Sequence, residues 1–191
     1  MRTELPSNPL WGRRNVEGLQ VNLTDIKRMV DKGEYTEALN KIDILLEQDD
    51  ETYYEALRIR AYIYNLKESY PKALQDRLEI VRSEQPKLKD YFLAAYEALY
   101  TKDYLLARDL LMELLEKGRA SDNNWFDSAA YFLLAYCYMV EGDYEAANKN
   151  LNISEAIEKD VSIPIPLVTK SYNVNLLRSE IEKKQGSGGG I

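Results

Sequence analysis

The sequence predicts an all-α protein, a solenoid of about four helix–turn–helix repeats that ends in a capping helix. A short string in which a tyrosine is followed three residues later by an alanine recurs four times, as GEYTEAL, ESYPKAL, KDYLLAR and GDYEAAN. Small and apolar residues flank each string at the spacing of one helix face. Strand-like alternation and Asn-Gly or Asp-Gly hairpin signals are absent from these repeats, which favours helices throughout.

The four strings recur at an interval that fits one pair of helices. Their alanines are Ala38, Ala73, Ala107 and Ala147, at intervals of 35, 34 and 40 residues. The last interval is longer because GRASDNNW, residues 118–125, adds a loop. A period near 34 residues is typical of stacked helical hairpins, each of which buries its apolar face only against its neighbours.

The junction inside each repeat has the composition of a tight turn between helices. Gly33 and Gly142 can adopt the left-handed conformation that ends a first helix. Ser69 and Asp143 are expected to cap the second helix, and Pro71 suits its first turn. The small alanine lets the two helices approach closely, while the tyrosine ring fills the space beside the turn.

This pattern resembles the tetratricopeptide repeat (TPR) family over residues 19–161. The family repeat has about 34 residues, with small and bulky side chains at fixed positions. In the fourth repeat those positions hold Tyr131, Leu134, Ala135, Tyr138, Gly142, Tyr144, Ala147 and Leu151. Two earlier repeats depart from the pattern: Asn22 and Asp25 replace bulky residues in the first, and Arg60 and Arg77 do so in the second.

The two ends of the chain differ from the repeats. Residues 1–18 are rich in proline and glycine and are expected to form an irregular arm. Residues 162–184 are expected to form a capping helix, since a solenoid exposes an apolar face at its end. Pro164 and Pro166 predict an extended approach to that helix, and residues 185–191 read as a flexible tail.

The resemblance implies that first helices of successive repeats line a concave groove that binds a segment of another protein. By register, the candidate partner-binding residues are Arg58, Tyr62, Lys89, Phe92, Tyr96, Tyr100, Phe132 and Tyr136. Aromatic anchors are typical of protein interfaces. Two interpretations stay open, because helices that are apolar on nearly every face also fit burial, with the C-terminal helix folded into the concave side.

Composition argues against catalysis. The chain has no histidine and a single cysteine, Cys137, which excludes a Ser-His-Asp triad, a Cys-His pair and a zinc finger. Phosphate-binding glycine motifs are missing as well. We therefore expect a protein that is not an enzyme, with no catalytic residues, no metal site and no cofactor.

The distribution of charge along the chain indicates which kinds of partner the protein can bind. The net charge is −7, and residues 19–169 alone carry −10. Such a body repels phosphate backbones, so no nucleic-acid partner is expected. The charge either steers a basic partner or only keeps the protein soluble. No segment has the roughly 18 consecutive apolar residues of a membrane span, and no secretory signal opens the sequence, which favours a cytoplasmic location without membrane attachment.

These observations predict a non-catalytic protein–protein interaction module, acting as an adaptor, a chaperone or an inhibitor. The alternatives are a self-associating structural protein, and a small acidic TPR protein that neutralises a basic toxin or holds a secreted substrate. A chaperone-tail carboxylate clamp is not expected, because only Lys89 occupies a suitable position for that ligand set.

Overall fold

The computed structural model describes residues 22–48, 51–164 and 171–187, and within these ranges eight helices form four consecutive hairpins. The hairpins are α1 (Leu23–Asp31) with α2 (Tyr35–Leu46), α3 (Tyr53–Leu66) with α4 (Tyr70–Val81), α5 (Leu88–Tyr100) with α6 (Tyr104–Ala120), and α7 (Asp127–Glu141) with α8 (Tyr144–Ile157). Each helix packs mainly against those before and after it, so the hairpins stack in sequence order. The all-α solenoid of four repeats is confirmed.

All four repeats turn at the predicted junction. The tyrosine of each string is the first residue of α2, α4, α6 or α8. The alanine three residues later has no exposed surface in any repeat, because it lies where the two helices meet. Gly33 and Gly142 have φ angles of 77° and 85°, and Glu68 and Lys102 take the same left-handed conformation in the middle repeats.

Side-chain caps at these turns follow the prediction in part. The Asp143 carboxylate accepts a hydrogen bond from the backbone N–H of Ala146, 3.0 Å away, as predicted. Ser69 occupies the N-cap position of α4 as predicted, but its side chain makes no capping hydrogen bond, since its hydroxyl donates to the Lys67 carbonyl at 3.5 Å. Pro71 has no N–H to offer, and the N–H of Lys72 already bonds to the Ser69 backbone carbonyl.

The apolar core has two parts. A smaller cluster joins α1, α2 and α3 around Ile26, Ile42 and Ile63. A much larger cluster runs from α5 to the C-terminal helix and contains Phe132 and Leu151. Leu74, Leu78 and Val81 of α4 pack against the larger cluster, so it extends into the second repeat.

The C-terminal segment is more structured than predicted. Strands β1 (Ser162–Pro164) and β2 (Ser171–Asn173) form an antiparallel pair, and α9 (Val174–Ser187) follows. The buried stripe of α9 consists of Val174, Leu177 and Ile181, as its helical spacing predicts. The helix also includes the first three residues of the predicted tail, 185–187. The predictions for residues 1–18 and for Pro166 lie outside the described residues.

Candidate functional site

A groove of about 550 Å³ separates the first helices of the second and third repeats. We call it the α3–α5 groove. Its lining residues are Glu55, Arg58, Tyr62 and Asn65 of α3, Arg77 of α4, Lys87 before α5, and Lys89, Asp90, Leu93, Tyr96, Glu97 and Tyr100 of α5. Tyr62 is 50% exposed at its rim, so the groove is open to solvent.

The C-terminal segment closes one end of this surface. The Tyr96 hydroxyl donates a hydrogen bond to the backbone carbonyl of Pro164 in β1. Tyr172 of β2 packs edge-to-face on Tyr136 of α7, with ring centroids 6.0 Å apart. Beyond that contact Phe132 has no exposed surface. The two interpretations left open by the sequence each apply to part of this surface. Helices α3 and α5 flank an open groove, whereas α7 is covered, although by Tyr172 of β2 rather than by the C-terminal helix, which packs mainly on α8.

The structure brings together five of the eight candidate binding residues. Arg58, Tyr62, Lys89, Tyr96 and Tyr100 all line the α3–α5 groove. The other three lie elsewhere. Phe92 stacks against Phe126 with ring centroids 5.2 Å apart, while Phe132 and Tyr136 are buried in the larger core cluster.

Stacked tyrosines form the aromatic side of the groove. Tyr100 stacks on Tyr70, the turn tyrosine of the second repeat, with centroids 3.9 Å apart and rings within 9° of parallel. Tyr96 packs edge-to-face on Tyr100 at 5.6 Å. Burial raises the pKa of Tyr96 to about 12, so this hydroxyl stays protonated and can donate its hydrogen bond at neutral pH. The groove wall is therefore apolar and held in place.

Charged side chains from the same two helices, α3 and α5, also line the groove. Arg58 makes two hydrogen bonds to the buried Asp90 carboxylate, 2.9 Å from Nε to Oδ1 and 2.7 Å from Nη2 to Oδ2. Asp90 also accepts from the backbone N–H of Lys87 at the start of α5. Burial opposes ionisation of Asp90, but these bonds and the charges of Arg58 and Arg77 outweigh it and lower its pKa.

Arg77 and Glu97 lie buried in the same groove without a complete set of partners. Arg77 is only 5% exposed, and within the described ranges its guanidinium forms no hydrogen bond or ion pair. Glu97 is 2% exposed; its Oε1 accepts from Asn65 Nδ2 at 2.8 Å, whereas its Oε2 is buried and unpaired. Burial lowers the pKa of Arg77, although attraction to Glu97 and Asp90 opposes the shift. Burial raises the pKa of Glu97.

Comparison with solved structures identifies the architecture. A double mutant of MamA matches with a TM-score of 0.62 and 13% identity, covering 87% of this chain and 93% of that one. Another MamA crystal structure gives 0.62 at 15% identity, covering 83% and 89% of the two chains. Nearly identical TPR-like repeats from Podosopora anserina, named for a kinesin light chain, give 0.54 at 16% identity, covering 87% and 84%. The fold is TPR-like.

At these identities the similarity establishes the fold alone. No family model matches the sequence, and no curated protein matches it either.

Two groove residues were missed as site candidates. In the sequence, Arg77 is marked only as a departure from the TPR pattern, and no pattern marks Glu97. For Arg77, the available signal was a charged residue at a repeat position where the TPR pattern has a bulky one. Arg60 shows why such a signal is ambiguous. Arg60 is another such departure, and it pairs with Asp76 through two hydrogen bonds of 2.9 and 2.8 Å, away from the groove.

Across the part of the chain that the structure describes, no cluster of acidic or cysteine side chains is arranged to hold a metal ion. Cys137 is buried in α7, and burial followed by the nearby Glu141 charge raises its pKa to about 12. None of the described helices combines the length and apolarity needed to cross a membrane.

Proposed function

We propose that this protein is a non-catalytic protein-interaction module of the TPR type that binds a segment of a partner protein in the α3–α5 groove. The observation that carries the proposal is an open groove on the first helices of adjacent repeats, lined by packed tyrosines and by paired charged side chains. Buried aromatic anchors beside fixed polar groups are what protein interfaces use for affinity and orientation.

The closed end of the groove supports the same assignment. Because the β1–β2 hairpin covers α7, a bound segment has access to the second and third repeats but not to Phe132 or Tyr136. The binding surface that we propose is therefore narrower than the full set of first helices. An adaptor, a chaperone and an inhibitor would each use this surface in the same way.

Affinity capture from the native host tests the proposal. The double variant Tyr62→Ala with Lys89→Ala removes two exposed groove side chains that have little structural role. The matched control, Leu105→Ala with Lys149→Ala, removes an exposed apolar residue and a lysine from α6 and α8.

We expect the wild type and the control to retain the same co-purifying protein, and the groove variant to lose it. Circular dichroism verifies that all three proteins are folded. Equal recovery of that protein by the groove variant would show that binding lies elsewhere.

A further inference from the structure

We propose that the α3–α5 groove selects its partner by a single carboxamide side chain, asparagine or glutamine, held between Arg77 and Glu97. This inference rests on the proposed function, because it names the chemistry that the same groove recognises. It follows from the two buried polar groups that the fold leaves unpaired inside the groove.

The pairing of the neighbouring arginines makes Arg77 stand out. Arg58 and Arg60 each reach a buried carboxylate through two hydrogen bonds, with Asp90 and Asp76. The second and third repeats therefore supply buried carboxylates for two of these guanidinium groups and none for the third, which is the most buried of them. A buried donor without a partner costs stability, and a ligand that accepts its hydrogen bond removes that cost.

Glu97 supplies the complementary half of the site. Asn65 occupies its Oε1, so Oε2 can accept one more hydrogen bond. A carboxamide offers both an accepting oxygen and a donating N–H₂ and carries no charge. A carboxylate would gain from Arg77 but be repelled by Glu97 and Asp90, and an ammonium group would meet the reverse conflict with Arg77 and Arg58.

Depth selects a side chain over a peptide backbone. Arg77 and Glu97 are almost fully buried, whereas Tyr62 at the rim is half exposed. A partner backbone can pack along the rim and the tyrosine wall, but only a side chain extends to the floor. Asparagine and glutamine carry a carboxamide at the end of such a side chain.

Selection from a random dodecapeptide library displayed on phage tests this inference. On the wild-type protein we expect enriched peptides to share asparagine or glutamine at one position. Arg77→Met removes the donor but keeps an apolar stem, and it should abolish that preference. For one enriched peptide, measured by fluorescence anisotropy, the same variant should weaken binding about tenfold or more, the usual effect of losing a hydrogen bond to a charged group.

Glu97→Gln gives a prediction that is independent of whether Arg77→Met folds. The new amide oxygen still accepts from Asn65, while its N–H₂ replaces the acceptor Oε2. The side chains at positions 77 and 97 then both present donors, and Asp90, the one buried carboxylate that remains among the described groove residues, is paired with Arg58. The selected residue should therefore change from asparagine or glutamine to aspartate or glutamate. Arg108→Met is the matched control, since Arg108 pairs with Glu141 outside the groove and should not alter selection.

The outcomes separate the two proposals. Enriched peptides that need Tyr62 but show no carboxamide preference, or that favour acidic residues on the wild type, overturn the inference and leave the proposed function standing. An unchanged preference in both Arg77→Met and Glu97→Gln also overturns it. If no peptide is enriched over a blank surface, both proposals fail.

Discussion

The second repeat contains three arginines whose surroundings differ: Arg58 and Arg60 on α3, and Arg77 on α4. Arg58 and Arg60 are partly exposed and each is held by a buried aspartate. Arg77 is more buried and has no such partner in the described ranges. The free energy of a buried charge depends on its partners, because hydrogen bonds and opposite charges must offset the loss of hydration. The same substitution at two of these positions should therefore have opposite effects.

We predict that Arg77→Met stabilises the protein and that Arg60→Met destabilises it. The first removes an unpaired buried guanidinium and should raise the free energy of unfolding by about 1 kcal/mol. The second leaves the buried Asp76 carboxylate unpaired and should lower it by about 3 kcal/mol. Urea unfolding monitored by circular dichroism measures both values. A loss of stability in Arg77→Met would show that the charge of Arg77 supports the fold.

The raised pKa of Glu97 predicts a pH-dependent effect of Glu97→Gln. A carboxyl whose pKa is raised on folding destabilises the folded state once the pH exceeds its unfolded value, and the full effect is reached above its folded pKa. Near pH 4 the carboxyl is largely protonated in both states, so the variant and the wild type should have similar stability. At pH 7 the variant should be more stable. Equal differences at the two pH values would contradict the assigned shift.

At the scale of the elements, the four turns use one hydrogen-bonding scheme with different residues. In each, the N–H after the left-handed residue bonds to a carbonyl five residues earlier, as from Asp143 to Tyr138 at 2.9 Å. Glycine occupies the left-handed position in the first and fourth repeats, while Glu68 and Lys102 occupy it in the others. Left-handed backbone is costly for a residue with a Cβ atom.

Lys102→Gly should therefore stabilise the protein, and Gly142→Ala should destabilise it. A Cβ atom at Gly142 would meet nothing within 4 Å, so its effect is confined to the backbone. We expect each change to be about 1 kcal/mol, with opposite signs. Thermal unfolding compares the two variants directly. A stabilising Gly142→Ala would mean that the turn tolerates side chains freely.

The sequence predicted these elements well because their signals are local. A tyrosine, an alanine and a turn residue within a few positions specify each bend, and all four bends form where the strings lie. The partners of Arg60 could not be predicted, since Asp43 and Asp76 come from different helices and no local pattern pairs them. The β1–β2 pair was not predicted either, because each strand is only three residues long and the two pair only when the chain folds back on itself.

The same distinction applies to the candidate site. Register predicts a shared helix face for Arg58, Tyr62, Lys89, Tyr96 and Tyr100, since their positions follow from helical periodicity, and all five line the α3–α5 groove. The sequence left open whether Phe132 and Tyr136 are buried, because that depends on where the C-terminal segment packs. Burial of a groove residue is a property of the whole chain, whereas its helix face is a property of one element.

At the scale of the molecule, the apolar core is divided unequally between two clusters. Ion pairs link the repeats in addition to these clusters: Arg58 of α3 pairs with Asp90 of α5, and Arg60 of α3 pairs with Asp43 of α2 as well as with Asp76 of α4. The cluster from α5 to α9 is much larger than the one around α1, α2 and α3. In a solenoid each repeat contacts only its neighbours, so regions with unequal cores can open separately.

Hydrogen exchange should reveal this inequality. We predict that amides of α1 and α2 exchange before those of α7 and α8, because fewer buried apolar side chains hold the first hairpin. Leu177→Ala provides the control: it removes a fully buried side chain from α9 and should cost the C-terminal cluster about 2–5 kcal/mol. Exchange in α7 and α8 should then accelerate, while exchange in α1 and α2 stays unchanged. If the Leu177→Ala variant accelerated exchange in both regions equally, the solenoid would unfold as a single cooperative unit. Mass spectrometry of peptides from each helix distinguishes the two results.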